Sequence, residues 1–167
     1  MTTYNTTNYV ISTPELGFQP ISTTSTTQKH PLGKIVTAVD PTYGEGTFVY
    51  LPGVASTVVG SVVLIDTINN TTTLAVHTTA ARGILAVAMS ANVASQYGWY
   101  QIEGSNPNVL STGTTAVGSK LYLTSTAGQI STGVVSGDGI DGAIATVATS
   151  AGVGGAQLNG PCATGNG

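Results

Sequence analysis

Short alternating runs of apolar and polar residues, separated by glycine, proline or asparagine, make up most of this chain. In 118-GSKLYLTSTAGQIST-132 a glycine precedes one alternating run, Ala-Gly forms a turn, and a second short run follows. Alternation with a period of two predicts strands with one buried face, and the turn residues predict a β-hairpin. No stretch keeps a 3.6-residue period, although Ala91–Tyr97 is compatible with a single helical turn. The predicted strands are Lys34–Val39, Gly46–Leu51, Ser61–Ile65, Thr73–His77, Gly83–Met89, Gly98–Glu103, Leu121–Thr124, Gln129–Ser131 and Gly142–Ala148.

Many short strands with frequent turns are typical of an all-β barrel or sandwich. We therefore predict a compact all-β domain of this kind over residues 33–151. Residues 1–32 are rich in Thr, Ser and Asn and are interrupted by proline, which predicts an extended N-terminal arm. Residues 152–167, GVGGAQLNGPCATGNG, lack the Lys-Ser/Thr pair of a phosphate-binding loop, and we expect a flexible glycine-rich tail.

An internal repeat is visible inside the predicted domain. The segment 60-GSVVLID-66 resembles 118-GSKLYLT-124, and 84-ILAVAMSA-91 resembles 144-IATVATSA-151. Each copy contains a glycine, a strand, a short hairpin and an Ala/Val-rich strand. Two such units related by pseudo-symmetry would be able to close one barrel.

Charge is scarce. Charged residues make up 7% of the chain, against roughly 25% in ordinary soluble domains, and threonine alone occurs 28 times. A neutral, hydroxyl-rich surface suits a subunit of an assembly better than a free monomer, because little repulsion keeps copies apart. Four cations are too few for a phosphate-binding patch. The longest apolar run, Ile84–Met89, is too short to span a bilayer. The first ten residues, MTTYNTTNYV, do not have the pattern of a secretory signal. We expect neither nucleic acid nor a membrane as partner.

Catalytic and metal-binding patterns are also lacking. The only histidines are His30 and His77, no G-x-S-x-G motif is present, and the single Cys162 lies in the glycine-rich tail. Asp138 and Asp141 in 137-GDGIDG-142 are better explained as turn residues than as a calcium loop. The sequence therefore predicts no enzyme, no metal site and no cofactor.

Aromatic residues are the remaining distinctive feature. In 97-YGWYQIEG-104, Trp99 shares one strand face with Gln101 and Tyr100 shares the other with Ile102. Such aromatics pack a core, bind sugar or anchor a protein interface, and we expect one face in the core and the other free to meet a neighbour. The predicted arm is either a passive tail or is anchored on a neighbour by its aromatics. The candidate partner interface consists of Tyr4, Tyr9, Phe18 and Trp99.

The order of these segments resembles a known family. After a polar arm come a G-x-x-V-x-L strand, 83-GILAVAMSANVASQYGWYQIEG-104, 118-GSKLYLTSTAGQIST-132 and 142-GAIATVATS-150. This order resembles the head decoration, or capsid cement, proteins of tailed bacteriophages, in which a Gly-Leu-Tyr-Leu hairpin followed by a Gly-x-Ala strand recurs. The resemblance covers roughly residues 33–151.

The resemblance implies a β-barrel-like homotrimer that binds the major capsid protein on the outside of the capsid. Such a chain is made in the host cytoplasm and ends in the virion. The arm would help to grip capsid subunits, and no catalytic residues carry over from the family. The alternative is a head-fibre or tail-fibre module that binds a host-surface glycan.

Overall fold

The computed structural model describes residues 4–12, 16–77, 81–133, 138–150 and 152–164, and in these ranges the chain is all-β. The strands form one antiparallel, sandwich-like sheet that is not closed, so the predicted fold class is confirmed without barrel closure. The strands are β1 (Val10–Ile11), β2 (Ile35–Asp40), β3 (Gly44–Pro52), β4 (Val62–Asp66), β5 (Thr71–Leu74), β6 (Arg82–Ala88), β7 (Tyr97–Leu110), β8 (Lys120–Leu123), β9 (Ile130–Ser131), β10 (Gly139–Ser150) and β11 (Val153–Thr164).

The sheet is branched around two long strands. Its main order is β1-β2-β3-β7-β6-β11-β10-β8-β9, with β4 beside β6 and β5 beside β4. The long strands β7 and β11 also pair with each other, from Val153 opposite Leu110 to Asn159 opposite Glu103. Each long strand therefore has different partners at its two ends, which lets one continuous sheet bend into stacked layers.

The front half of the predicted repeat corresponds to a repeated topology. In the first unit β4 pairs with β5 and β6, and in the second β8 pairs with β9 and β10. Gly60 and Gly118 both have a positive φ, and their amides donate to the carbonyls of Ala88 and Ala145, each at 2.8 Å. The two units thus begin in the same way.

The back half of the sequence repeat is out of register. Val62 pairs with Val87, and Lys120, which matches Val62 in the repeat, pairs with Ile144. Ile144 is therefore the structural counterpart of Val87, whereas the sequence similarity had matched it with Ile84. An irregularity between Ile140 and Ile144 then shifts the register further along β10.

Each of the nine predicted strands overlaps one of β2–β10, but the helical turn expected at Ala91–Tyr97 is absent. Asn92 is buried there, and its side-chain amide donates to Leu51 O at 3.2 Å and to the Tyr100 hydroxyl at 3.0 Å. Ser95 has a φ of 65°, in the left-handed region that ends a helical turn. This segment is held by side-chain bonds to neighbouring strands.

The predicted flexible tail is wrong for residues Val153–Thr164, which form β11. Buried and exposed side chains alternate in this strand, since Ala156 and Leu158 are buried while Gln157 and Asn159 are exposed. The glycines on either side of this run conceal the alternation in the sequence. A Cβ on Gly154 would lie 2.3 Å from the Thr149 methyl, and one on Gly155 would lie 2.8 Å from a Val147 methyl. These glycines permit close packing against β10, and residues 165–167 lie outside the described ranges.

Three apolar clusters hold the layers together. The first joins the two repeat units to β7 and β11 and leaves a cavity of only about 10 Å³, roughly the space of one water. The second lies under the arm, around Phe48, Tyr50 and Trp99, and the third lies on the other face of β3, around Leu51 and Tyr100. Strand β3 is therefore buried on both faces.

The boundary predicted at residue 33 does not separate an independent arm from the domain. The described part of residues 1–32 is mostly irregular and extended, but Ile21 is buried in the second cluster, and β1 pairs with β2. The amides of Ser25 and Tyr97 also exchange hydrogen bonds with each other's carbonyls, at 3.0 and 2.8 Å. The arm belongs to the folded domain because the sheet supplies the apolar surface and backbone partners that the arm itself lacks.

Candidate functional site

Trp99, predicted to meet a partner, is instead the centre of the contact between the arm and the sheet. Its side chain is 0% exposed, its indole N–H donates to Gln19 O at 2.8 Å, and Phe18 stacks on it with ring centroids 5.0 Å apart. Tyr100, on the other strand face, is buried in the third cluster. The alternation predicted for this strand is confirmed, but both faces are covered by the chain itself.

The two tyrosines predicted at the interface have different surroundings. Tyr9 packs edge-on against Phe48 at 4.8 Å, and its hydroxyl donates to Ser105 O at 2.9 Å. Burial raises the pKa of Tyr9 to about 12. Tyr4 is 40% exposed. Of the four predicted interface residues, Tyr4 keeps the most accessible side chain, whereas Tyr9, Phe18 and Trp99 are largely engaged within the chain.

Polar residues that the sequence analysis did not single out attach the arm to the sheet. The Tyr50 hydroxyl donates to the side-chain oxygen of buried Gln19 at 2.9 Å, and the Gln19 side-chain amide donates to Tyr97 O at 2.9 Å. Asn5 and Asn108 exchange two hydrogen bonds, at 2.6 and 2.9 Å. No local pattern marks these residues, since amides in a Thr-rich segment look like those of any solvated loop.

Asp40 joins the arm to the turn after β2. Its carboxylate accepts hydrogen bonds from the backbone amides of Asn8, Thr42 and Tyr43. Burial alone would raise the pKa of Asp40, but these three amides stabilise the anion and bring the pKa below its ordinary value. The ionised carboxylate therefore stabilises the fold above about pH 4, and this contribution is lost as the pH falls through the lowered pKa.

We expect Asp40→Asn to lower the free energy of unfolding at pH 7 by about 1–3 kcal/mol. A neutral asparagine has only one side-chain oxygen, so it cannot replace the charged carboxylate as acceptor of three backbone hydrogen bonds. The difference from the native chain should shrink as the pH falls from 5 to 2.5. Urea unfolding across this range, followed by Trp99 fluorescence, measures it. Asp66→Asn is the control, since the Asp66 carboxylate also accepts hydrogen bonds from backbone amides of the following turn but is exposed to solvent. An undiminished Asp40→Asn effect at pH 2.5 would contradict the assignment.

An apolar patch lies on the outer face of the β1–β2 edge. Val10 and Val39 are opposite each other in the sheet, Ile35 lies on the same face of β2, and their exposed fractions are 69%, 44% and 60%. The carboxylate of Asp40, the residue after Val39, is bonded to backbone amides. Glu45 on β3 is paired opposite Val39 and is a charged neighbour of these residues in the sheet. We call Val10, Ile35 and Val39 the edge patch.

His77 and Asp138 form a contact that the sequence analysis did not predict. His77 Nδ1 meets the carboxylate of buried Asp138, whose other oxygen has no hydrogen-bond partner within the described residues. The His77 amide also donates to Thr124 O at 2.7 Å, so this contact joins the two repeat units. Asp138 and Asp141, predicted together as turn residues, have different partners, since the Asp141 carboxylate forms an ion pair with Lys120 at 2.9 Å. The described ranges hold no group of three or more metal-ligating side chains.

A polar groove crosses β3, β7 and β11. It has a volume of about 380 Å³ and is lined by glycine backbone at Gly46 and Gly104, with carboxylate, hydroxyl and amide side chains around them. The Thr47 hydroxyl donates to the Glu103 carboxylate at 3.0 Å. The polar lining residues are Glu45, Thr47, Glu103, Gln157 and Asn159.

Comparison with protein-family models, with curated proteins and with solved structures gives no match to this chain. Within the part of the chain that the structure describes, no helix is long and apolar enough to cross a membrane.

Proposed function

We propose that this chain is a structural virion protein that decorates and stabilises a phage capsid by binding the outer surface of the capsid lattice as a homotrimer. The proposal rests on the resemblance in the order and motifs of the strands and on the edge patch. The patch is the observation that carries it, because three β-branched side chains are exposed on one face of the β1–β2 edge. Natural edge strands are commonly protected by charge, proline or a bulge.

The composition supports an assembled state. With 7% charged residues, the surface has little electrostatic repulsion between copies or against a neutral partner. Burying a valine or isoleucine completely stabilises association by roughly 1.5–3 kcal/mol, so the edge patch is able to supply a useful part of a binding energy. The β1–β2 edge also offers backbone groups for pairing with a partner strand.

We expect the double substitution Ile35→Lys/Val39→Lys to weaken binding to undecorated capsids at least tenfold, because two charges would have to be buried at the contact. Co-sedimentation with particles stripped of this chain measures the affinity. Ile68→Lys is the matched control, since Ile68 is 88% exposed in the β4–β5 turn, away from the edge patch.

Light scattering of the same variants tests self-association. We expect the native chain in solution to have three times the 16.7 kDa mass of one chain. Unchanged capsid binding by the double variant would rule out the edge patch as the contact. Failure of the native chain to bind any undecorated particle of its source would overturn the decoration function itself.

The polar groove favours a second candidate function, a fibre module that binds a host-surface glycan. Carboxylate and amide groups such as Glu103 and Asn159 are suitable partners for sugar hydroxyls. Glycan-array binding that is lost in Glu103→Gln would support this function over decoration. No binding to the array, together with binding to capsids, would exclude it.

A further inference from the structure

His30 is a buried histidine within the contact between the arm and the sheet. Its ring lies 4.9 Å from Phe18, 5.1 Å from Tyr50 and 5.4 Å from Trp99, measured between ring centroids, and 7% of the residue is exposed. The imidazole thus occupies the same aromatic cluster that holds Phe18 against the sheet.

The protonation state of His30 follows from one hydrogen bond. The backbone amide of Gln19 donates to His30 Nε2 at 3.1 Å. An amide N–H is always a donor, so Nε2 must be an acceptor and carries no proton in this arrangement. A proton on Nε2 would place two N–H groups in contact with each other. It would also bury a positive charge among aromatic rings, and the free-energy cost of this burial exceeds the stabilisation from cation–π contact with those rings.

We propose that His30 is a proton-sensitive latch that holds the arm on the sheet at neutral pH and makes its transient opening more frequent in mild acid. The docked arm requires Nε2 to be unprotonated, whereas an undocked arm in water takes up a proton at ordinary imidazole pH values, near 6.5. Because the released state binds one more proton, its population rises as the pH falls below that value, by up to tenfold per pH unit. This inference does not depend on the proposed function.

Other titratable groups at the contact between the arm and the sheet act in different pH ranges. Tyr50 is beside His30, and Tyr9 lies nearer the N-terminus of the arm. Burial raises the pKa of both hydroxyls above their ordinary value, which is already alkaline. The pKa of Asp40 is below its ordinary value, so its protonation weakens the arm contact only in stronger acid. Lys29, whose amide donates to the Tyr50 hydroxyl at 3.1 Å, precedes His30. A release between pH 6.5 and 5 therefore distinguishes His30 from these groups.

The test is hydrogen exchange of the full chain between pH 7.5 and 5, corrected for intrinsic exchange rates. The amides of Ser25 and Tyr97, which bond to each other's carbonyls across the contact, report arm release. The Gly60 amide, bonded to Ala88 O within the sheet, is the internal control. We expect the opening constant at Ser25 and Tyr97 to rise at least fivefold over this range while that at Gly60 stays constant.

Two variants assign the effect to one histidine. His30→Gln, which cannot take up a proton, should abolish the pH dependence, whether its arm is docked or released throughout. His77→Gln should keep it, because His77 contacts Asp138 away from the arm. Equal protection of Ser25 and Tyr97 at pH 7.5 and pH 5 in the native chain would overturn the proposal, as would a transition that persists in His30→Gln.

Discussion

Replacing Gly60 with alanine is expected to lower the free energy of unfolding by about 4 kcal/mol or more, a large part of the 5–15 kcal/mol typical of a domain. Gly60 has a φ of 83°, where an L side chain costs about 1–2 kcal/mol. Its new Cβ would also lie 2.0 Å from the carbonyl oxygen of Asn108. Backbone atoms cannot rotate away, so the strands must separate at this point.

Three segments depend on that position. Gly60 N donates to Ala88 O, and Leu110 N donates to Gly60 O at 2.9 Å, so Gly60 ties β6 and the end of β7 to the start of the first repeat unit. Displacing it would disturb both bonds. Urea unfolding followed by Trp99 fluorescence measures the loss, and at 2–4 °C per kcal/mol we expect the melting temperature to fall by about 10 °C.

Gly118→Ala is the matched control, because Gly118 begins the second repeat unit with a φ of 80° and a Cβ there would have no neighbour within 4 Å. This substitution carries only the backbone conformational cost, about 1–2 kcal/mol. Equal destabilisation by the two substitutions would show that the overlap with Asn108 relaxes, and that the repeat glycines matter only for their φ angles.

Deleting residues 2–28 is expected to destabilise the remaining chain by about 5 kcal/mol or more, or to prevent folding. The deletion removes Ile21 and Phe18 from the second cluster and exposes Trp99 and Phe48 to water. Each large apolar side chain that loses its burial costs roughly 1.5–3 kcal/mol. Circular dichroism and thermal unfolding of the truncated chain measure this effect.

A pair of substitutions makes the same test without deleting residues. Phe18→Ala should lower the free energy of unfolding by about 2–4 kcal/mol, because Phe18 stacks on Trp99. Leu16→Ala should change it by less than about 0.5 kcal/mol, because Leu16 is fully exposed two residues away. A truncated chain with native stability, together with a neutral Phe18→Ala, would show that the arm is dispensable for folding.

The strands of the body were predictable because their evidence is local. Alternating runs such as 120-KLYL-123 mark a strand with one buried face, and glycines such as Gly60 and Gly118 mark places where the chain takes a positive φ. The front half of the repeat has the same local signature.

The outer strand β11 and the role of the arm were decided by tertiary structure. A glycine in β11 leaves no side chain to carry an alternating pattern, so the segment looked flexible, although its glycines are needed where Thr149 and Val147 approach. The arm looked too polar to pack because its partners, such as Ser105 and Tyr97, are far away in the sequence.

The sequence by itself therefore determined where strands form and which side chains share a strand face, as for Trp99 and Tyr100. Only the tertiary structure decided what covers each face, and it placed the arm over Trp99 where a neighbouring chain had been expected. It also brought His77 to Asp138 and Gln19 to His30. The physical reason is that alternation records that a side chain is buried, whereas the covering segment is selected by shape and hydrogen-bond partners distant along the chain.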